Sequence, residues 1–198
     1  MPGHFEAIPG GGAAIALDEV EISILRSLAV QLLELIGPGD EPVEGADPLA
    51  ALFAEGPSEA PSDPALARLF PDAYEDPAAT APQDDDGRAS SAEFRRFTEN
   101  DLRAGKREDA VAIVRALDTL SVTGEDEAVL KLTPDVSVRW LRALNDLRLT
   151  IGTRLEVTDD DEGAGLYRLP DDDPRKPMVM AYLWLGVLQE TLVETLTA

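Results

Sequence analysis

The chain has 198 residues, no cysteine and a formal net charge of −22. Without thiols it can form no disulfide, thiolate metal site, thiol nucleophile or thiol redox switch, and this suits a reducing, cytoplasmic setting. The acidity disfavours direct DNA binding, because affinity for nucleic acid depends on neutralising phosphates.

The charge is unevenly spread. Residues 1–87 carry 2 basic and 18 acidic side chains, 88–154 carry 12 and 11, and 155–198 carry 3 and 10. The middle is therefore near neutral between acidic flanks. His4 is the only histidine, so a serine–histidine–acid triad or a histidine-based zinc site is nearly excluded. The longest apolar run, residues 178–188, has 11 residues. A bilayer span needs about 20, and no basic segment followed by an apolar run opens the chain, so neither a membrane segment nor a signal peptide is expected.

In chain order, Phe5–Ile8 and Ala13–Leu17 flank Pro9-Gly10-Gly11-Gly12, which predicts a β-hairpin. Ile15 stands where a dinucleotide fingerprint needs its third glycine, so these glycines do not read as a phosphate cradle. Asp18 should cap a helix whose stripe is Val20, Ile24, Leu25, Leu28, Leu32, Leu35 and Ile36, ended by Gly37-Pro38-Gly39. Asp47-Pro48 and Asp63-Pro64 each predict a short helix, with loops over 37–46 and 55–62. Residues 76–91, with Asp84-Asp85-Asp86, read as a mobile loop. Ser90 and Glu93 have capping-box spacing, which predicts a helix through Phe94, Phe97 and Leu102. A second helix should follow from about Lys106 to Leu120, then a turn at Gly124-Glu125-Asp126 and a strand at Ala128–Leu132.

Thr133-Pro134-Asp135 starts a long helix: a threonine cap, a proline at the first helical position and an early acid. Val138, Leu141, Leu144, Leu147, Ile151 and Leu155 recur at helical spacing. An acidic loop at 158–165, a short strand at Leu166–Leu169 and a second acidic loop at Asp171–Pro174 come next. The last helix runs from about Pro177 to Thr197 on Met178, Ala181, Leu185, Leu188 and Leu192. The expected fold is mainly α (α+β), one domain over 1–198. A helical core carries an amino-terminal hairpin and short edge strands, with mobile loops at 37–46, 76–91 and 158–165.

Asn145, Asp146 and Arg148 interrupt the long helix's apolar residues. If buried they need hydrogen-bond partners, since an unpaired buried polar group costs about 1–3 kcal/mol. They are read first as a structural network, with an Arg142–Asp146 pair at i,i+4 spacing. Arg95, Arg96, Arg139, Arg142, Arg148 and Trp140 are the candidate partner-binding residues, because Arg and Trp concentrate binding energy at interfaces. No catalytic, cofactor or metal residues are assigned. The acid runs lack a complete calcium-loop pattern: Asp159, Asp161 and Gly163 supply part of one, but Val157 holds the first liganding position.

Several blocks carry a family resemblance. They are Arg68-Leu69-Phe70-Pro71-Asp72-Ala73-Tyr74; Glu93-Phe94-Arg95-Arg96-Phe97 with Leu102-Arg103 and Lys106; and Trp140-Leu141 with Leu144-Asn145-Asp146-Leu147-Arg148-Leu149 and Gly152-Thr153-Arg154-Leu155. Tyr182-Leu183-Trp184-Leu185 and Leu188-Gln189-Glu190-Thr191-Leu192 add to them. Together they resemble an actinobacterial family long labelled a domain of unknown function and typically encoded near the ClpS proteolysis adaptor. The resemblance implies a cytoplasmic transcriptional regulator in the oxidative-stress response, not an enzyme. It implies association with a sigma factor or RNA polymerase. One member's oxidant sensor is, by the same resemblance, a cysteine pair; this chain has none, so that switch does not carry over. Two alternatives stand beside this reading: an interaction protein of the Clp system, and a metal-dependent enzyme using the acidic loops. Homodimerisation through the last helix is left open.

Overall fold

The computed structural model describes residues 3–38, 55–74, 85–121, 127–157 and 169–197. Strands β1 (Glu6–Ala7), β2 (Ala13–Leu17) and β3 (Ala128–Leu132) form an antiparallel sheet in the order β1-β2-β3. Ala13 pairs with both Ala7 and Leu132, and Leu17 with Ala128. The hairpin turn holds Gly10, Gly11 and Gly12 at φ 91, 86 and 95°. Gly12 is doubly constrained: a Cβ there would lie 2.2 Å from the Leu132 carbonyl oxygen. Ala13, Ile15, Leu17, Leu130 and Leu132 cover the core, while Val129 and Lys131 face out.

Helices α1 (Glu19–Ile36), α2 (Pro64–Leu69), α3 (Asp85–Asp118), α4 (Pro134–Arg154) and α5 (Lys176–Thr197) make up the rest of the regular structure among the described residues. The predicted starts are confirmed at three of them. Asp18 and Glu21 form a reciprocal capping box, Asp63 accepts from Leu66 N–H at 2.9 Å, and Thr133 caps α4 ahead of Pro134. Helix α4 is the central element, packed against α1, α2, α3 and α5. Trp140, Ala143, Leu144, Leu147 and Ile151 are its buried apolar residues. They meet Leu25, Leu32 and Ile36 of α1, Ile113 and Leu117 of α3, and Leu185, Leu188 and Leu192 of α5 in one core.

The chain's two ends meet. Phe5 N–H donates to Thr191 Oγ1 at 3.1 Å, Trp184 Nε1 donates to the Gly3 carbonyl at 3.4 Å, and the Phe5 ring stands edge-on to Trp140 at 6.0 Å.

Several sequence expectations need correction. Helix α3 runs unbroken for 34 residues from Asp85, so 85–91 is helix rather than loop, Ser90 is not an N-cap, and no break falls before Lys106. Around the expected break, Arg103 and Arg107 bond to α1 and Lys106 and Asp109 to α4, and this packing outweighs the local break signals. Val20, Ile24, Val138 and Met178 lie on exposed faces, because each predicted stripe is wider than the face its neighbours cover. Residues 55–62 form no regular element, as expected. The Asp47-Pro48 helix, the 124–126 turn, the 158–165 loop, most of the 166–169 strand, residues 39–46 and residues 76–84 lie outside the described residues.

Candidate functional site

Polar residues gather along the seam between α3 and α4, where a helix pair would ordinarily bury aliphatic side chains. Lys106 Nζ reaches Asp146 Oδ1 at 2.6 Å. One turn along, Arg142 grips Asp109 with two bonds, Nε–Oδ2 at 2.7 Å and Nη2–Oδ1 at 3.0 Å. Asp109 and Asp146 are buried, whereas the Arg142 side chain is 58% exposed. Burial pushes the Asp146 carboxyl above its ordinary range; the hydrogen bond and charge of Lys106 pull it back, Asp109 pushes it up and Arg142 pulls it down. Such pairs add little net stability but penalise any other register, since a mismatched charge would be left buried. The predicted Arg142–Asp146 pair is thus replaced by two pairs that cross between helices.

The predicted network of Asn145, Asp146 and Arg148 divides in two. Consecutive helical residues lie about 100° apart, so Asp146 turns toward α3 while Asn145 and Arg148 turn toward α5. There Gln189 joins them: its Oε1 accepts from Arg148 Nη1 at 2.9 Å and its Nε2 donates to Asn145 Oδ1 at 3.3 Å. The Arg148 guanidinium lies over the Tyr182 ring at 5.0 Å and packs on Gly186. Between the two networks opens a groove of about 570 Å³, whose rim includes Arg139, Arg142, Asn145 and Gln189.

The other proposed contact residues go elsewhere. Arg95 is 4% exposed, so it is a docking group for its own chain rather than for a partner. Its Nη2 donates to the Phe70 carbonyl at 3.0 Å and to Asp72 at 2.7 Å, and its Nη1 pairs with Glu99. Glu99 also takes Arg103 at 2.7 Å, and Arg103 donates to the Ile36 carbonyl at 2.7 Å while lying 4.5 Å over the Phe70 ring. Arg107 donates to the carbonyls of Leu33 and Gly37. The Arg103/Arg107 pair therefore closes the end of α1, whose last turn has no basic residue of its own. Arg96 pairs with Glu55, and its carbonyl accepts from Gly56 N–H at 2.7 Å. Trp140 is fully buried and is core, not contact surface. Arg139 is exposed and makes no ion pair among the described residues; with Arg142 it is what remains of the predicted basic face.

A second groove was not anticipated from sequence. It lies between α1, α4 and α5, holds about 590 Å³, and is lined by Ile24, Leu28, Ile151, Met178, Met180 and Trp184 among others. The available signal was that apolar residues in α1 and α5 occupy more than one face.

No group of three or more metal-ligating side chains gathers among the described residues, and no helix there is long and apolar enough to cross a membrane. What the described residues present is a mainly helical fold with these two grooves and a polar seam. The family described as a domain of unknown function (DUF2017) matches residues 3–196, and the chain belongs to that family. It is 32% identical over 182 residues to the oxidative stress regulator AosR of Mycobacterium tuberculosis (strain ATCC 25618 / H37Rv), covering 87% of this chain and 77% of that protein. It is 33% identical over 187 residues to the putative oxidative stress regulator AosR of Mycobacterium leprae (strain TN), covering 90% and 79%. No solved structure matches.

Proposed function

We propose that this protein is a regulator in the oxidative-stress response that works by protein–protein contact with a sigma factor or RNA polymerase, and that it is not an enzyme. The observation that carries this reading is the one-third identity to proteins named as oxidative stress regulators, sustained over 87% of the chain. The geometry supports contact rather than catalysis: exposed Arg139 and Arg142 rim an open groove whose two buried carboxylates, Asp109 and Asp146, are held in ion pairs. A net charge of −22 opposes direct DNA contact and favours action through a partner.

The test is affinity capture of the tagged protein from its host lysate, with and without peroxide, read by mass spectrometry. Polymerase subunits or a sigma factor should be enriched, and Arg139→Glu should reduce them and flatten their salt dependence. Arg139 is the informative position, since its replacement breaks no ion pair seen in the fold, whereas Arg142 also holds Asp109. Clp components without polymerase would overturn the reading in favour of the proteolysis system.

A further inference from the structure

With no thiol in the chain, methionine is the side chain left for reversible oxidation by peroxide, and only three methionines are present. Two of them, Met178 and Met180, stand in and just after the first turn of α5. Val179 between them is 1% exposed and anchors that turn to the core, while Met178 and Met180 are 40% and 57% exposed on its flanks. Both line the 590 Å³ apolar groove, beside Trp184. A reactive, accessible pair is thus built into the wall of a cavity whose character depends on staying apolar.

We propose that Met178 and Met180 form a thioether oxidation site that converts this groove between an apolar and a polar state. A sulfur lone pair attacks one peroxide oxygen. The S–O bond forms as the O–O bond breaks, the departing hydroxide leaves as water with the proton of the sulfur-bound oxygen, and sulfur is oxidised by two electrons while the peroxide is reduced. The resulting sulfoxide is polar and needs a hydrogen-bond donor. Around the groove Thr150 is already bonded to the Asp146 carbonyl and one Gln31 N–H to Ser27, so Arg154, the second Gln31 N–H and entering water are the donors at hand. Methionine sulfoxide reductases restore the thioether. The regulatory meaning of this chemistry rests on the oxidative-stress reading; the chemistry itself does not, and it is tested on the isolated chain.

The experiment treats purified protein with hydrogen peroxide, locates added oxygen by peptide mass spectrometry, and follows an apolar fluorescent dye together with tryptophan emission. Circular dichroism confirms that the fold persists. Oxygen should add at Met178 and Met180, dye fluorescence should fall, and a methionine sulfoxide reductase should restore both. Met178→Leu/Met180→Leu should keep the dye signal in peroxide. Met178→Gln/Met180→Gln, with polar amides at those positions, should show the reduced signal without oxidant. The proposal is overturned if folded protein resists oxidation there, if oxidation leaves the dye signal unchanged, or if the glutamine variant binds dye like the parent. Groove switching without polymerase capture would leave this proposal standing and sink the regulator reading; capture without switching would do the reverse.

Discussion

Arg95 shows how far a side chain's role can lie from its composition class. Exposed on a helix it would be a candidate contact for a partner. Buried, it spends its donors on Phe70, Asp72 and Glu99 and fastens the 70–74 segment to α3. Removing one member of a buried ionic cluster strands its partners, which typically costs about 3–5 kcal/mol. Arg95→Leu should lose stability on that scale in urea unfolding; a loss within about 0.5 kcal/mol, the range of ordinary surface changes, would show that the segment is held by something else. The sequence offered no way to see this burial. Two of the three partners lie 23 and 25 residues away in the sequence, and nothing local to Glu93–Phe97 marks Arg95 as different from Arg96. Asp146 was more legible: a carboxylate at a position flanked by Leu144 and Leu147 had to be paired. That its partner would be Lys106 required knowing how α3 lies against α4.

Among the elements, starts were easier to read than lengths. Caps are local chemistry, so Asp18, Asp63 and Thr133 announced their helices within four residues. Continuity is not local. Gly105 sits inside α3, where glycine costs about 1 kcal/mol relative to alanine, and the sequence read as two helices there. Tertiary packing carries the helix through. A Cβ at Gly105 would meet nothing within 4 Å, so Gly105→Ala should raise stability by about 0.5–1 kcal/mol. Thermal or urea unfolding measures this directly. A decrease would mean that α3 bends or opens at this glycine in solution. The two grooves were illegible for a related reason: each is bounded by three helices, and no one helix's periodicity encodes a shared gap.

On the scale of the whole molecule, charge balance and helical class were readable from composition and periodicity, and the helical core with its hairpin agrees with them. The same charge predicts a response to salt. Repulsion among the acidic flanks opposes compaction, and screening shortens its reach from about 30 Å at 0.01 M to about 8 Å at 0.15 M ionic strength. The melting temperature should therefore rise with sodium chloride over that range. A fall would show that the interhelical ion pairs outweigh the repulsion. The meeting of the chain's two ends carries a consequence for biosynthesis. Phe5 and Thr191 are separated by 186 residues, and at about 5–20 residues per second a ribosome needs roughly 10–40 s to make that stretch. Throughout that interval the hairpin's apolar face lacks the helix that covers it. Closure of the sheet over its apolar face therefore waits for the last helix to be made, and until then that face is open to aggregation or chaperone binding.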